Sequence, residues 1–422
     1  MALSKVRTIG RLGMRCFPIE VEVDVSPGLP GLSIVGLPDT IVQESKERIS
    51  AAIKNSGATI PLARITVNLA PADIKKEGVG FDLPIAVGIL AASEQIPPID
   101  ESSSFFGELG LQGELKMTRG VLLFALQTKK QASKIYIPLA NAQEGGLVRG
   151  QHTMFGVTNL IDLIAGLKGE RALPRIDPVT INTLSPPQPE YDFADIAGQP
   201  AAKRTLEIAA AGHHNILLTG PPGSGKTLLS RSLPTIMPPL TQSELIEVTQ
   251  VYSVAGLLSE DRPLIAHRPF RSPHHSSSMA ALVGGSNPPR PGEISLAHNG
   301  VLFLDEFAEL PRQAIEALRQ PLEDRVITIS RSGFSAEFPA HCLLIAAINP
   351  CPCGYKDDPN HTCSCPPQDI IRYKKRLSGP ILDRIDLHII VPAVPLSEIA
   401  RPANSESSAE VRKRVTAARS IQ

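Results

Sequence analysis

The sequence predicts an α/β protein of two domains joined by a proline-rich linker, and three observations carry that expectation. Near the N-terminus a strictly alternating stretch, Ile19 to Val25, precedes a helical pattern that begins after Asp39. Residues 171–191 hold Pro174, Pro178, Pro186, Pro187 and Pro189 with little apolar periodicity, as an extended linker does. Beyond them, short apolar runs bounded by turn residues alternate with helical patterns, the signature of buried parallel strands. The chain has 422 residues, more than one ordinary core of roughly 100–200 residues accommodates.

Each element has a local reason. In Ile19-Glu20-Val21-Glu22-Val23-Asp24-Val25 the apolar residues share one face of a strand and the carboxylates the other. Asp39 is placed as the N-cap of a helix whose apolar face takes Ile41, Val42, Ser45, Ile49 and Ile53, and Gly57 is placed to end it. Arg64 to Leu69 reads as the next strand. The first domain is therefore 1–170, the linker 171–191 and the second domain 192–395, with strands at Asn215 to Leu218, Gly300 to Leu304 and Cys342 to Ala347. Residues 396–422 begin a further helical segment, where Ser407 and Glu410 make a capping box ahead of Val411 to Ile421.

Lys plus Arg equals Asp plus Glu at 42 each, so no global positive field marks a nucleic-acid binder and any DNA contact must be local. The first fifteen residues carry Lys5, Arg7 and Arg11 and lack the apolar core of a signal peptide. Leu83 to Ala92 is far shorter than the roughly 18–20 residues that cross a bilayer. A cytoplasmic location without a membrane partner is the expectation. In that reducing compartment the 6 Cys read as thiols or metal ligands.

The chemistry-bearing motifs lie in the second domain. Gly220-Pro221-Pro222-Gly223-Ser224-Gly225-Lys226-Thr227 matches the Walker A pattern at every fixed position, follows an apolar strand and opens a helix through Leu228. Glycines let backbone N–H groups wrap phosphates, Lys226 neutralises their charge, and the Thr227 hydroxyl reaches Mg²⁺. Roughly 80 residues on, Val301-Leu302-Phe303-Leu304 ends in Asp305-Glu306, a Walker B arrangement. Asp305 is assigned to Mg²⁺ and Glu306 to polarising the attacking water. Ala346-Ala347-Ile348-Asn349 ends a third apolar run in an amide positioned to sense the γ-phosphate, because open α/β sheets bind ligands at the carboxyl ends of their strands. ATP and Mg²⁺ are thus the expected cofactors.

Cys351-Pro352-Cys353 and Cys363-Ser364-Cys365 form a C-x-C pair of pairs across a polar loop. Four thiolates at this spacing suit tetrahedral Zn²⁺, with reduced thiols or a redox pair as the alternative. His361 reads as a solvated loop residue, and Cys16 and Cys342 as ordinary buried cysteines.

The runs Arg268 to Ser276, Ala281 to Gly285, Pro291 to His298, Asn349 to Gly354 and Ser378 to His388 closely resemble those of the magnesium-chelatase-like AAA+ ATPases of the bacterial ComM/YifB family. The resemblance implies a ring-forming homo-oligomer, a hexamer, whose chain carries an AAA+ P-loop domain with a parallel sheet, preceded by a Lon-protease-like (S5-type) α/β domain. It implies a DNA helicase that drives branch migration on single-stranded or branched DNA during integration of transforming DNA. A metal-inserting chelatase ATPase subunit and a nucleotide-gated scaffold without catalysis are the rival functions. Arg384, in Leu382-Asp383-Arg384-Ile385-Asp386, takes the position of an arginine finger, whereas its neighbours alone suggest an ion pair with Asp383 or Asp386. The segment Val326 to Phe338 reads as two alternating strands around a Gly-containing turn and resembles a pore hairpin, in which Arg331 would face phosphate and Phe334 a base, with a plain solvent-exposed hairpin as the alternative. Gly80 stands where the protease family has its serine and Leu122 near its lysine, so peptide cleavage is not expected. The family pattern continues into a helical lid with a second sensor arginine, and a chain stopping at Gln422 implies a truncated lid.

Overall fold

Alternating β-branched residues decide the first sheet. In the computed structural model, which describes residues 2–181, 191–286, 289–331, 334–356, 358, 361–377, 379–395 and 406–422, two units separate by their internal contacts. The first is Met1–Thr183 with Thr249–Leu264, and the second is Leu184–Val248 with Ile265–Gln422.

The first unit contains β1 (Ala2–Leu12), β2 (Arg15–Ser26), β3 (Gly31–Val35), β4 (Arg64–Ala70), β5 (Ser103–Phe105), a ribbon of β6 (Glu108–Leu109) and β7 (Leu115–Lys116), β8 (Lys134–Pro138) and β9 (Thr153–Val157). Seven of them form one mixed sheet in the order β3-β4-β2-β1-β5-β8-β9. Ile19, Val21 and Val23 of β2 are buried as the alternation requires. β1, which the sequence reading did not assign, pairs with β2 along its whole length, and Lys5 sits 2.6 Å from Glu20 and 3.1 Å from Glu22. The charge complementarity of two neighbouring alternating stretches was the available signal.

The helix Thr40–Asn55 is capped by Asp39, whose carboxylate accepts from the Val42 N–H at 2.8 Å. Its buried stripe is Val42, Ser45, Ile49, Ala52 and Ile53, and Gly57 follows with φ of +76°. Ile41 departs from expectation: it lies at the edge of the stripe in the first turn and stays 40% exposed. The apolar run from Leu83 becomes the helix Asp82–Ala92, buried on nearly every side, which is why it shows no amphipathic period. Among the described residues no helix is long and apolar enough to cross a membrane.

The serial boundary read from the sequence is crossed once, because Thr249–Leu264 groups with the first unit. There the Ser253 hydroxyl donates to the carboxylate of Glu144 and accepts from the Gly120 N–H at 2.9 Å. Glu144 also accepts from the Leu122 N–H at 2.9 Å and from Asn141 Nδ2 at 2.7 Å. Burial pushes its carboxyl pKa up, and these donors oppose that shift. The helix Gln242–Ala255 that carries Ser253 has no internal break, so nothing local marks the change of unit. The linker also departs from a free segment. The Pro174 carbonyl accepts from Gly156 and the Ile176 N–H donates to Met154, which ties its start to β9. Pro186, Pro187 and Pro189 lie outside the described residues.

In the second unit β10 (Ile216–Thr219), β11 (Phe270–Arg271), a ribbon of β12 (Gly284–Gly285) and β13 (Arg290–Pro291), β14 (Val301–Leu304), a hairpin of β15 (Val326–Arg331) and β16 (Phe334–Pro339), β17 (Leu343–Ile348) and β18 (Leu387–Ile390) are arranged around a five-stranded sheet, order β11-β14-β17-β10-β18. Every pairing in that sheet is parallel. Leu206, Leu229 and Leu233 from helices pack on Ile216, Phe303 and Ile345 from the strands. The capping box of Ser407 and Glu410 starts the helix Ser408–Ile421, whose Val411 and Val415 enter the same core; residues 396–405 lie outside the described set.

Gly80 has no room for a side chain: a Cβ there would stand 2.2 Å from the ring of Phe106, which stacks on Phe124 with centroids 5.0 Å apart. Leu122 is fully buried. Replacing Gly80 by Ser is therefore expected to destabilise the protein by about 1–3 kcal/mol through overpacking, without creating a nucleophile. Denaturant unfolding checks this, and a variant as stable as wild type would mean that the Phe106 ring yields freely.

A candidate nucleotide-binding site

β10 ends at Thr219, and the loop from Gly220 turns into the helix Lys226–Ile236. Two glycines make the turn possible: Gly223 and Gly225 take φ of +76° and +89°, a left-handed region that side chains disfavour. Nothing lies within 4 Å of a Cβ built on either, so the need is conformational and not steric. Gly220 differs, since a Cβ there would meet the Val391 carbonyl at 2.2 Å. Pro222 is exposed, while Pro221 and Ser224 are buried and Leu228 is half-buried in the helix's first turn.

The Lys226 ammonium donates to the carbonyls of Gly220 at 2.7 Å and Pro221 at 2.9 Å, and to Asn349 Oδ1 at 3.4 Å. Burial lowers its pKa and the Asp305 carboxylate opposes the shift. Thr227 Oγ1 lies 3.2 Å from Asp305 Oδ2. Asn349 follows β17 directly, so the Walker A loop, Asp305 and Asn349 occupy the carboxyl ends of three adjacent parallel strands. A cavity of about 480 Å³ opens beside them, lined by Gly220, Pro221, Asn349, Tyr373 and Leu377 among others.

Glu306 has a left-handed backbone, φ +49°, and its N–H donates to Asp305 Oδ1 at 2.9 Å. This turn splits the adjacent carboxylates: Asp305 faces Thr227, while Glu306 Oε2 lies 2.8 Å from His275 Nδ1. The His275 ring stands 4.0 Å from that of His274. His275 was in the sequence run that carried the family resemblance, yet no local signal linked it to Glu306. Gln199 was likewise missed: its Nε2 donates to the carbonyls of Ser224 at 3.2 Å and Pro392 at 2.6 Å, bridging the loop to the segment after β18.

Arg384 is held by Glu323, with its Nε 2.6 Å from Glu323 Oε1. The ion pair expected with Asp383 or Asp386 is thus replaced. Asp386 accepts from the Asn215 N–H at 2.9 Å, and Asn215 Nδ2 donates to the Arg384 carbonyl, so both flank β10. The hairpin of β15 and β16 pairs from Val326 with Pro339 to Arg331 with Phe334. The side chains of Arg331 and Phe334 and the turn at 332–333 lie outside the described residues.

The four cysteines meet. Cys351 Sγ is 3.3 Å from that of Cys353 and 3.7 Å from that of Cys363, Cys353 and Cys363 are 3.6 Å apart, and all four sulfurs including Cys365 lie within 4.8 Å of one another. Hydrogen bonding from the Tyr355 N–H lowers the Cys353 thiol to about 6. His361 stays apart, its ring tilted at 32° against that of Tyr355 and its Nδ1 3.5 Å from Asp358. Cys342 is buried, Cys16 half-buried, and burial pushes both thiols up to about 12.

The residues present fit a magnesium nucleotide. The Ser224 hydroxyl is buried without a partner among the described residues, the loop is open above Gly223 and Gly225, and Thr227 and Asp305 present two oxygens toward one point. A sequence model described as Magnesium chelatase, subunit ChlI, matches residues 192–399, and one described as Subunit ChlI of Mg-chelatase matches residues 21–141. The chain is 45% identical over 424 residues to the uncharacterized protein YifB of Salmonella typhimurium, spanning 100% of this chain and 82% of that protein. It is 44% identical over 437 residues to the competence protein ComM of Haemophilus influenzae, spanning 100% of this chain and 83% of that one. A shorter similarity, 30% over 156 residues, covers 34% of this chain and 27% of Lon protease 2 of Bacillus subtilis, in keeping with a Lon-like α/β domain beside the P-loop domain. With the Walker geometry assembled and identity of this extent along its whole length, the chain belongs to the magnesium-chelatase-like AAA+ ATPases of the ComM/YifB family.

Proposed function

We propose that this chain is an ATP-driven DNA motor, working as a hexameric homo-oligomeric ring on single-stranded or branched DNA during integration of transforming DNA. The observation that carries the motor is the convergence of Lys226, Thr227, Asp305 and Asn349 at the ends of three parallel strands, with Glu306 turned outward beside them. The DNA substrate is supported by the relative named a competence protein and by the hairpin of β15 and β16.

Bound Mg²⁺-ATP supplies the anhydride to be cleaved and a divalent charge at its phosphates. Lys226 would exchange its two loop carbonyls for phosphate oxygens, and Thr227 and Asp305 would hold the metal. Glu306 polarises the attacking water and takes its proton, while the Asn349 amide orients the reacting end. Arg384 leaves Glu323 to reach the nucleotide of a neighbouring subunit. The four cysteines, whose sulfurs converge, would hold Zn²⁺.

The family description keeps metal insertion into a tetrapyrrole as a second reading. ATP turnover measured with and without single-stranded and forked DNA separates the two. Stimulation by DNA together with strand displacement supports the motor; turnover indifferent to DNA and dependent on a tetrapyrrole-binding partner would reject it. Single-turnover hydrolysis disposes of a scaffold that only binds nucleotide.

Lys226→Ala is expected to weaken ATP binding by about tenfold to a hundredfold, the worth of a charge-assisted contact. Glu306→Gln should retain ATP while losing about 10²-fold or more in phosphate release. Equal ATP affinity in wild type and Lys226→Ala, measured with a fluorescent nucleotide, contradicts the Walker A assignment.

For Arg384→Ala we expect ATP binding close to wild type and turnover lower by about 10²-fold or more. Mixing Arg384→Ala with Glu306→Gln subunits should restore turnover at interfaces that join an intact Glu306 to an intact Arg384. Should Arg384→Ala and Glu323→Ala share only a loss of thermal stability, with turnover per folded molecule intact, the pair is structural and the finger is refuted.

A further inference from the structure

The loop between the two C-x-C pairs, Gly354 to Thr362, is polar apart from Tyr355 and Pro359 and contains no Val, Leu, Ile, Met or Phe that could anchor it. Something other than apolar burial must hold its ends, and at its base four sulfurs gather. Their spacings of 3.3, 3.6 and 3.7 Å exclude a disulfide, where sulfurs stand about 2.05 Å apart, and approach the about 3.8 Å edge of a tetrahedron with Zn–S of about 2.3 Å. Cys351 is fully buried, so one corner of the cluster is set in the protein core and the others close over it.

This knuckle is tied to the nucleotide site. Cys351 is two residues beyond Asn349, joined to it by Pro350, which restricts the connecting backbone. Gly354 has φ of +87°, and a Cβ there would stand 2.7 Å from Pro222 Cδ of the Walker A loop and 4.0 Å from Asn349 Cγ. The turn of the knuckle therefore fills the space behind both the loop and the amide. Asn349 has one further support, the hydroxyl of Tyr373, which meets its backbone.

We propose that Zn²⁺ bound by Cys351, Cys353, Cys363 and Cys365 braces Asn349 against the Walker A loop, so that metal occupancy sets how well the site distinguishes ATP from ADP. The proposal rests on reading Asn349 as the contact to the γ-phosphate. Without the metal the knuckle relaxes, Gly354 withdraws from Pro222, and the amide loses its fixed position while Lys226 still binds the β-phosphate.

Metal analysis and equilibrium nucleotide binding on the whole chain test this. Protein purified without chelator should hold about one Zn²⁺, absent from the Cys363→Ser plus Cys365→Ser variant, which spares the buried Cys351. Zinc loss should lower the ratio of ATP to ADP affinity by about tenfold, as Asn349→Ala does, and combining the changes should add little. Wild-type protein stripped by a chelator and reloaded with Zn²⁺ repeats the comparison should the variant fold poorly, with the ratio falling and returning. Folded wild type that carries no metal and titrates four free thiols overturns the site. Zinc that can be removed without changing the ratio, while Asn349→Ala does change it, overturns the brace. An unchanged ratio in Asn349→Ala sinks the γ-phosphate reading and the brace with it, leaving the Lys226 dependence to stand separately.

Discussion

The parallel pairing of β17 with β10 on one side and β14 on the other is the constraint on which the rest of the second unit depends. Thr219 stands opposite Ile348, and Leu304 opposite Ala346, so the three strands finish at nearly the same level. Gly220, Asp305 and Asn349 are the next residues or follow at once, and they meet because the register brings them there. Parallel strands are buried on both faces, which accounts for the runs Val301-Leu302-Phe303-Leu304 and Leu343-Leu344-Ile345-Ala346-Ala347 being apolar without alternation. A polar group can then appear only where the strand ends.

That arrangement places a cation where it is poorly solvated. Lys226 is buried, and its ammonium is satisfied by two carbonyls of its own loop and by Asn349. Such a group gains most from an anion that replaces those carbonyls, which is the physical case for phosphate at this position. Glu306 shows the complementary device. Its left-handed backbone turns it away from Asp305, so two consecutive carboxylates serve different partners, Thr227 and His275.

The first unit has a related fold problem and a different outcome. Its sheet is mixed, with β1 and β2 antiparallel, and its central helix Asp82–Ala92 is enclosed by apolar neighbours. Gly80, where a side chain would run into the ring of Phe106, and the fully buried Leu122 both lie within its packing. The buried Glu144, satisfied by Leu122, Asn141 and Ser253, shows the same unit spending its polar groups on cohesion.

Much that depends on neighbours within a few residues was legible in the sequence: the Asp39 cap, the Ser407 capping box, the glycines of the Walker A loop, and the strand-end placement of Asp305 and Asn349. Such features follow from backbone geometry and short-range hydrogen bonds, which the local residue types specify. What joins distant segments was decided only by the tertiary structure. Ser253 meets Glu144, Arg384 meets Glu323, His275 meets Glu306, and the linker's first residues lie along β9. In each case several partners of the right charge or polarity were present in the sequence, and the choice among them was made by which strands pair and which faces must be buried. The cysteines fall between the two: their spacing was visible, but that all four sulfurs converge behind the Walker A loop required the fold of the loop that separates them.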